Sequence, residues 1–369
     1  KRIAMTDSIL VTGATGYIGS HTCVCLLQAG WRVIAIDNLC NSSPRAVLRI
    51  QEICGQPMPF HPMDVRDHAA LSRLLQQENI SAVVHFAGLK AVSESVSRPL
   101  DYFDNNVAGS LTLLRVLHQQ GVRRLVFSSS ATVYGDPQQV PITEHAPLSV
   151  TNPYGRSKLF VEHILSDLSH SDPEWRIATL RYFNPAGAHE SGLLGEDPRG
   201  IPNNLMPYIA QVAVGRRPHL SVFGDDYPTP DGTGVRDYIH VMDLASGHLA
   251  ALERLFARPG SFTVNLGTGR GVSVLQAVAA FERACGKRIP VRMAPRRPGD
   301  VARCYAFARR TYPTKLDEIT HHDCRQRQDC PHHRRDRSGW RLPVPAPARQ
   351  GLCGARHQAP QLAAQHSAH

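Results

Sequence analysis

The sequence predicts an α/β fold: a doubly wound parallel sheet with helices on both faces, followed by a smaller lid domain and an atypical tail. Three observations indicate it. Short apolar runs alternate with helix-length segments up to about Asn184, and repeated β-α units place parallel strands beneath helices. A glycine-rich turn separates the first apolar run from the first helix. Polar residues or glycines follow strand after strand, at the edge where such sheets bind ligands.

The first β-α-β unit carries the glycine-rich turn. The apolar segment Ser8–Thr12 predicts a buried strand, residues 13–19 follow in a GxxGxxG pattern, and a helix runs to about residue 29. The second strand, residues 32–36, ends at Asp37. Glycines at such a turn admit a pyrophosphate at the helix N-terminus, and an acidic residue at this place binds ribose hydroxyls. The unit therefore predicts a Rossmann-type site for NAD, because Asp37 repels the 2′-phosphate of NADP.

The remaining elements of the sheet follow in order. They are a short strand at 59–62 ending near Asp64, a buried strand at 82–87, a helix at 108–120, a strand at 124–129, a helix from 154 to about 169 and a strand at 177–182. Parallel strands end at a common edge, where α/β folds bind ligands. We therefore expect Asp37, Asp64, residues 86–90, Ser130 and residues 182–184 to converge there.

The helix that begins at Tyr154 places Tyr154 and Lys158 four residues apart, on one face. A free phenol has a pKa near 10 and is a poor base at neutral pH. A neighbouring cation favours the phenolate and lowers that pKa. Because this pair follows a dinucleotide motif in the chain, it predicts a tyrosine that exchanges protons with a substrate.

From residue 185 to about 305 proline and glycine are frequent, and polar residues cluster in segments 201–207, 234–240 and 295–300. This composition predicts a smaller substrate-binding domain over the edge of the sheet. Arg236 and Arg297 suit phosphate groups, because a guanidinium donates two parallel hydrogen bonds. The alternative is that they are ordinary surface arginines.

Length and composition favour an enzyme over a nucleic-acid or membrane protein. The 369 residues contain no run of 18 apolar residues and no apolar segment near Lys1, so we expect no membrane span and no signal peptide. We interpret the nine cysteines as reduced, in the cytoplasm. Residues 306–369 hold 11 of the 41 basic but 5 of the 31 acidic residues, so much of the +10 charge lies in the tail. Basic residues do not alternate with aromatic ones as in nucleic-acid surfaces.

Residues 8–305, about four fifths of the chain, resemble the UDP-glucose (UDP-galactose) 4-epimerase family of the extended short-chain dehydrogenase/reductase superfamily. The matching segments are 12–22, 37–39, 85–95, 104–107, 128–135, 152–158, 181–188, 200–217, 232–244 and 296–300. The resemblance implies an NAD-binding domain at 8–184 and a nucleotide-sugar domain at 185–305, with some segments such as 235–250 packing back on the sheet.

The resemblance also implies residue roles, position by position, and no metal ligand. It assigns NAD contacts to Gly13, Gly16, Tyr17, Ile18, Gly19, Asp37, Asn38, Asp64, Val65, Phe86, Ala87, Lys90, Asn105, Tyr154, Lys158 and Tyr182. It assigns catalysis to Ser130, Tyr154 and Lys158. It assigns the nucleotide sugar to Ser130, Asn184, Asn204, Leu205, Phe223, Arg236, Tyr238, Arg297, Asp300 and Cys304.

The activity that the resemblance implies is reversible 4-epimerisation of UDP-galactose and UDP-glucose through a 4-keto intermediate. Tyr154 is its acid/base, tightly bound NAD is regenerated in each turnover, and a cytoplasmic homodimer carries it out. One alternative is a nucleotide-sugar 4,6-dehydratase, but Ala131 and Thr132 stand where that family carries Asp-Glu. Another is a non-catalytic NAD-binding regulator, a class that tends to lose the Tyr154 and Lys158 pair.

Cys304 carries a narrower expectation about the substrate. By the resemblance this position lines the hexose pocket and is either bulky or small, and a cysteine leaves room for a 2-acetamido group. We therefore expect activity on UDP-N-acetylhexosamines as well. The alternative is that Cys304 packs as a small apolar residue.

The resemblance stops at about Tyr305. Residues 306–369 contain 7 His, 6 Pro and 3 Cys without helical or strand periodicity, a composition that predicts disorder. We interpret this tail as the product of a reading-frame change, which resequencing the gene would test. Its Cys324, Cys330, His332 and His333 lack the tight spacing of structural zinc sites.

Overall fold

The computed structural model describes residues 7–198, 202, 204–297 and 299–307. Its strands are β1 (Ser8–Thr12), β2 (Arg32–Asp37), β3 (Phe60–Pro62), β4 (Ile80–His85), β5 (Arg124–Ser128), β6 (Arg176–Tyr182), β7 (Asn184–Ala186), β8 (Leu220–Phe223), β9 (Val235–His240), β10 (Phe262–Leu266), β11 (Gly271–Ser273), β12 (Val291–Ala294) and β13 (Arg303–Cys304). The tail from residue 308 onward, with the predicted disorder and the four cysteine and histidine positions, lies outside the described residues.

Helices alternate with these strands. They are α1 (Tyr17–Gln28), α2 (Arg45–Cys54), α3 (His68–Gln77), α4 (Val92–Ser97), α5 (Pro99–Tyr102), α6 (Gly109–Gln119), α7 (Pro153–Ser171), α8 (Leu205–Ala213), α9 (Val241–Ala257) and α10 (Val274–Cys285). A π-helical turn (Phe103–Ala108) joins α5 to α6, and a 3-10 turn (Ala131–Tyr134) follows β5. Among these described residues, no helix is both long and apolar enough to cross a membrane.

Seven strands form the central sheet, in the order β3-β2-β1-β4-β5-β6-β10, and all neighbours are parallel. The chain leaves β1 towards one edge and returns at β4 towards the other, so the direction of winding reverses between β1 and β4. In open α/β sheets a crevice forms at this reversal, beyond the carboxyl ends of the strands. The topology therefore places the ends of β1 and β4 side by side at a ligand-binding crevice.

Two apolar layers cover the sheet, one on each face. Helices α1, α2 and α9 pack on one face around Val24, Ile50 and Leu252. Helices α3, α6 and α7 pack on the other around Leu71 and Leu113, among others. Each such fully buried aliphatic side chain contributes about 1.5–3 kcal/mol relative to exposure. This arrangement confirms the predicted doubly wound α/β fold.

The second half of the chain divides between the central sheet and smaller sheets. β10 pairs with β6 at the sheet edge, and α9 packs on the face that α1 covers. α8 and α10 pack on the two-stranded sheet β8-β12, around Ile209 and Phe281. β9 pairs with β7, β11 and β13.

The region between β4 and β5 differs most from the prediction. A single helix from residue 108 was expected, whereas α4, α5, the π-helical turn and α6 follow one another there. Asn105 and Asn106 lower the helix propensity of this segment, because asparagine side chains compete for backbone hydrogen bonds. Packing against α7 outweighs that local preference, since Asn106 donates a hydrogen bond to the Ser157 hydroxyl at 2.9 Å.

Candidate active site

The glycine turn after β1 packs against the end of β4. Gly13 has a φ of 69°, and a Cβ at this position would lie 2.7 Å from the Ala87 nitrogen. Gly16 is the N-cap of α1, and its N–H donates to the Gly13 carbonyl at 3.1 Å. Glycine is therefore required at position 13 both by backbone conformation and by lack of space. The exposed backbone at the start of α1 is suited to a phosphate group.

Asp37 is the last residue of β2 and contacts the glycine turn through Thr15. Its Oδ2 accepts the Thr15 N–H at 3.1 Å, while its Oδ1 accepts the Leu39 N–H at 2.8 Å and the Ser42 hydroxyl at 3.0 Å. Leu39 adopts a φ of 60° to make its contact. A carboxylate has about four acceptor sites, so Asp37 is held in place with capacity left for ribose hydroxyls.

One cleft brings together all the predicted cofactor residues except Asp64. Those lining it are Gly13, Gly16, Tyr17, Ile18, Gly19, Asp37, Asn38, Val65, Phe86, Ala87, Lys90, Asn105, Tyr154, Lys158 and Tyr182. Asp64 does not line the cleft, but its Oδ2 accepts a hydrogen bond from Nδ2 of Asn38, which does, at 2.9 Å. Hydrogen bonds from Arg66 hold the pKa of Asp64 well below its ordinary value, so Asp64 positions Asn38 as a fixed carboxylate.

The predicted catalytic residues are all buried; Tyr154 and Lys158 line this cleft, whereas Ser130, just after β5, does not. Asn152 caps α7 by accepting the Gly155 N–H at 2.9 Å, and Tyr154 and Lys158 follow on the first turns. The Lys158 ammonium donates to the Ser128 carbonyl at 2.9 Å, and Tyr154 is hydrogen-bonded to Ser130. The helix cap and the end of β5 therefore fix Tyr154 and Lys158 at the cleft, with Ser130 beside Tyr154.

Burial shifts the pKa values of these side chains. Desolvation raises the pKa of Tyr154, against the opposing effect of its hydrogen bond to Ser130. It lowers the pKa of Lys158 to about 8, and the nearby Glu162 carboxylate opposes that change. The sequence led us to expect a lowered pKa for Tyr154. Without the positive nicotinamide, the pKa is raised instead, because loss of water around the buried phenol and the nearby Tyr182 outweigh the hydrogen bond to Ser130.

The predicted substrate residues lie on the smaller sheets and loops, in separate groups. Asn184 is in register with Tyr238 between β7 and β9. Arg236 is in register with Cys304 between β9 and β13. Phe223, Arg297 and Asp300 form a third group, in which the Arg297 guanidinium stands 4.6 Å over the Phe223 ring and its Nε donates to Asp300 at 2.9 Å. These groups do not line the cleft described above.

Glu196 connects the two sets of residues, and sequence reasoning missed it. Its Oε1 accepts from Lys90 Nζ at 2.9 Å and from Asn204 Nδ2 at 2.5 Å. Leu205 follows Asn204 as the first residue of α8. A lysine predicted to bind the cofactor and an amide predicted to bind the substrate therefore share one carboxylate.

Asn106 and His248 are further residues that sequence reasoning missed. Asn106 bonds both backbone groups of Leu89, at 2.8 and 3.0 Å, and so fixes the segment after β4. The His248 ring packs against Phe86 with centroids 4.7 Å apart, and burial lowers its pKa to about 4. Asn106 could have been found from the sequence, because two adjacent asparagines are unusual in a helical segment. No local pattern indicates His248.

The residues after Ser130 bear on the alternative chemistry. The Ser130 oxygen accepts hydrogen bonds from the backbone N–H and the hydroxyl of Thr132, at 3.2 and 3.0 Å. Ala131 and Thr132 therefore occupy the 3-10 turn beside Ser130 without a carboxylic acid. Within the described part of the chain, no group of His, Cys, Asp and Glu side chains is arranged to hold a metal ion.

Comparison with known proteins gives concordant results. The model of the NAD dependent epimerase/dehydratase family matches residues 9–267. The chain is 59% identical over 306 residues to UDP-glucose 4-epimerase 2 of Arabidopsis thaliana, covering 82% of this chain and 87% of that one. It is 58% identical over 299 residues to UDP-glucose 4-epimerase of Bacillus subtilis, covering 81% and 88%. The crystal structure of UDP-glucose 4-epimerase from Bifidobacterium longum in complex with NAD+ and UDP has a TM-score of 0.80 at 53% identity, covering 85% and 96%.

Proposed function

Because the chain belongs to the NAD dependent epimerase/dehydratase family, we propose that it interconverts UDP-galactose and UDP-glucose by inverting the sugar at C4. The observation that carries the proposal is that the buried Tyr154 and Lys158 line the same cleft as the glycine turn, with the buried Ser130 interacting with Tyr154. The identity of 58–59% to UDP-glucose 4-epimerases over more than four fifths of the chain supports this substrate.

The residues of the cleft fit NAD. The glycine turn leaves backbone uncovered for a pyrophosphate, and Asp37 stands at the end of β2 where ribose hydroxyls are bound. Phe86 and Tyr182 line the cleft near Lys158, where a nicotinamide ring would lie. NAD held here would supply a reversible hydride acceptor for the sugar C4, and would therefore be regenerated in each turnover.

Tyr154 moves the proton in this proposal. As phenolate it takes the proton of the sugar 4-hydroxyl, which allows C4 to lose its hydride and become a ketone. Ser130, hydrogen-bonded to Tyr154, contacts the same oxygen. After the 4-keto sugar has turned about its diphosphate linkage and C4 has regained a hydride on its other face, Tyr154 gives its proton to the 4-oxygen, which becomes the new hydroxyl.

Positive charge is needed to form that phenolate, since burial raises the pKa of Tyr154. Lys158, whose pKa is about 8, is mostly protonated at neutral pH. Its ammonium and the positive charge of oxidised NAD both favour the ionised phenol. The phenolate is therefore most populated when the oxidised cofactor is in place, which is the state in which the reaction starts.

The three groups on the smaller sheets anchor the nucleotide in this proposal. Arg236 and Arg297 supply bidentate donors for the diphosphate, and Phe223, beneath Arg297, offers a ring to the uracil. Residues 185–305 thus form the nucleotide-sugar domain, while β10 and α9 return to the central sheet. Anchoring through the nucleotide leaves the hexose free to turn, as inversion at C4 requires.

A homodimer is part of the proposal. Val96, Leu100 and Phe160 are 64%, 80% and 44% exposed, and the Phe160 ring stacks on Phe103 at 5.9 Å. These side chains form an apolar surface across α4, α5 and α7, which we call the α4–α7 surface. We propose that a second copy of this chain binds to this surface. We also propose that the dimer is cytoplasmic.

The test is the conversion of UDP-galactose by the purified chain without added NAD, followed by proton NMR. We expect UDP-glucose to form, and we expect Tyr154→Phe to lower the rate on the order of 10²–10⁴-fold, the usual contribution of a general acid/base. Ultraviolet absorbance and mass of the released cofactor should show that the variant retains NAD.

The control replaces residues 308–369 by the C-terminus of one of the relatives. If neither this chimera nor the native chain converts UDP-galactose, the proposed substrate is wrong. If Tyr154→Phe turns over as fast as the unmodified chain, the assignment of Tyr154 fails.

A further inference from the structure

A buried ion pair lies behind the proposed catalytic group. Glu162 is on α7, one turn beyond Lys158, and Arg181 is on β6, next to Tyr182. Arg181 Nη2 lies 2.6 Å from Glu162 Oε2, and the two side chains are 8% and 6% exposed. Burial of two charges costs much of what their attraction returns, so such a pair is weak evidence of a role in stability. Its contacts indicate a different role.

Glu162 holds the residue before the catalytic serine. The Ser129 hydroxyl donates to Glu162 Oε1, while the Ser129 N–H is shared between the carbonyls of Phe127 and Leu180, at 3.1 and 2.8 Å. Side chain and backbone of Ser129 are therefore both fixed. Because Ser130 follows directly, its position beside Tyr154 depends on this anchor.

Arg181 holds the other end of the same turn. Its Nη1 donates to the Tyr134 hydroxyl and to the Glu144 carbonyl, both at 3.1 Å. Tyr134 in turn donates to Asn265 Oδ1 at 2.7 Å, and the Asn265 N–H donates to Glu144 Oε1 at 3.0 Å. Tyr134 ends the 3-10 turn whose N-cap is Ser130. One ion pair therefore clamps the catalytic turn before Ser130 and after Tyr134.

Given the proposed function, on which this inference rests, we infer that Glu162, held by Arg181, is a positioning residue for catalysis. It fixes the turn that carries Ser130, and it places a negative charge one helical turn from the Lys158 ammonium. Among the described residues, the titratable side chains placed about Lys158 include Tyr154 and Glu162 on α7, His85 on β4, and two on β6: Arg181, paired with Glu162, and Tyr182, which interacts with Ser128. Among them Glu162 supplies the negative charge that raises the pKa of Lys158.

The test measures Glu162→Gln in the full, NAD-loaded chain. We expect kcat for UDP-galactose to fall on the order of 10²-fold, the loss typical of a misplaced reacting group, with KM and bound NAD nearly unchanged. Without the carboxylate, Lys158 loses its proton at lower pH. The alkaline limb of kcat against pH should therefore move to lower pH, and Glu162→Asp should restore part of kcat.

Two further variants separate positioning from folding. Asp172→Asn breaks the Arg123 to Asp172 ion pair at the far end of α7, where Arg123 Nε and Asp172 Oδ2 are 3.0 Å apart, and should leave kcat and the pH profile unchanged. The double variant Glu162→Leu with Arg181→Met removes both buried charges together. Because no uncompensated buried charge remains, it should still fold cooperatively, yet show the same loss of kcat.

The outcomes distinguish the hypotheses. The inference is overturned if Glu162→Gln keeps kcat within about threefold of the native value and the alkaline limb of its pH profile does not move. If Glu162→Gln does not fold, the same criterion applies to the double variant. The inference is also overturned if Asp172→Asn loses as much activity. Absence of epimerisation in the native chain and in the chimera would instead count against the proposed function.

Discussion

At the scale of single residues, burial shifts the protonation equilibria of Tyr154 and Lys158. Desolvation raises the pKa of the phenol and lowers that of the ammonium to about 8, so it favours the uncharged form of both. The neighbouring charges must overcome this effect before Tyr154 can act as a base. The site is therefore arranged so that its reactivity depends on the groups around the tyrosine.

Cys304 carries a prediction about substrate size. Burial raises the pKa of its thiol to about 11, so it is an uncharged, small side chain next to Arg236. We expect Cys304→Tyr to lower the rate on UDP-N-acetylglucosamine at least about tenfold, because a bulky ring fills space that a 2-acetamido group needs. Epimerisation of UDP-glucose, measured in parallel by NMR, should remain.

Cys304→Ser is the control, since serine is of similar size and should keep both activities. A loss of both activities in Cys304→Tyr would show that the position supports the fold of β13 rather than the choice of sugar.

At the scale of elements, the start of α7 connects local stability with catalysis. Asn152 is buried, accepts the Gly155 N–H and is followed by Pro153 at the first helical position. Asparagine at an N-cap and proline at N1 favour a helix that begins at this residue. The first turn is the one that carries Tyr154, so the cap also sets where the phenol stands.

We expect Asn152→Ala to destabilise the chain by about 1 kcal/mol, the usual cost of losing a cap. The measurement is the midpoint of urea unfolding, followed by circular dichroism. Asn152→Asp keeps an acceptor for the Gly155 N–H and should unfold near the midpoint of the native chain. Equal midpoints for the alanine variant and the native chain would contradict the role of the cap.

At the scale of the whole molecule, the α4–α7 surface carries a prediction about assembly. We expect the native chain to sediment as a dimer and Leu100→Arg to sediment as a monomer, because a charge at the centre of an apolar interface would be desolvated without a partner. Analytical ultracentrifugation at several concentrations measures this.

Leu48→Arg is the matched control, because Leu48 is 67% exposed on α2, away from the α4–α7 surface. It should leave the dimer intact. A dimer that persists in Leu100→Arg would exclude this surface as the interface.

The sequence by itself determined the order of the β-α units, the glycine turn, Asp37 and the spacing of Tyr154 and Lys158. Each of these depends on residues that are neighbours in the chain, so periodicity and local motifs were sufficient to predict them. The resemblance added the remaining site positions. Of the predicted cofactor residues, all but Asp64 line one cleft, because parallel strands end at a common edge.

Only the tertiary structure decided which distant residues support that cleft. Glu162, Arg181 and Asn265 come from α7, β6 and β10, and no local pattern places them together. β10 joins the central sheet from a segment otherwise given to the smaller domain, and the π-helical turn replaces a predicted helix boundary. The raised pKa of Tyr154 is also a consequence of the tertiary structure. Burial and long-range pairing depend on the folded chain as a whole, and therefore cannot be deduced from the spacing of residues along it.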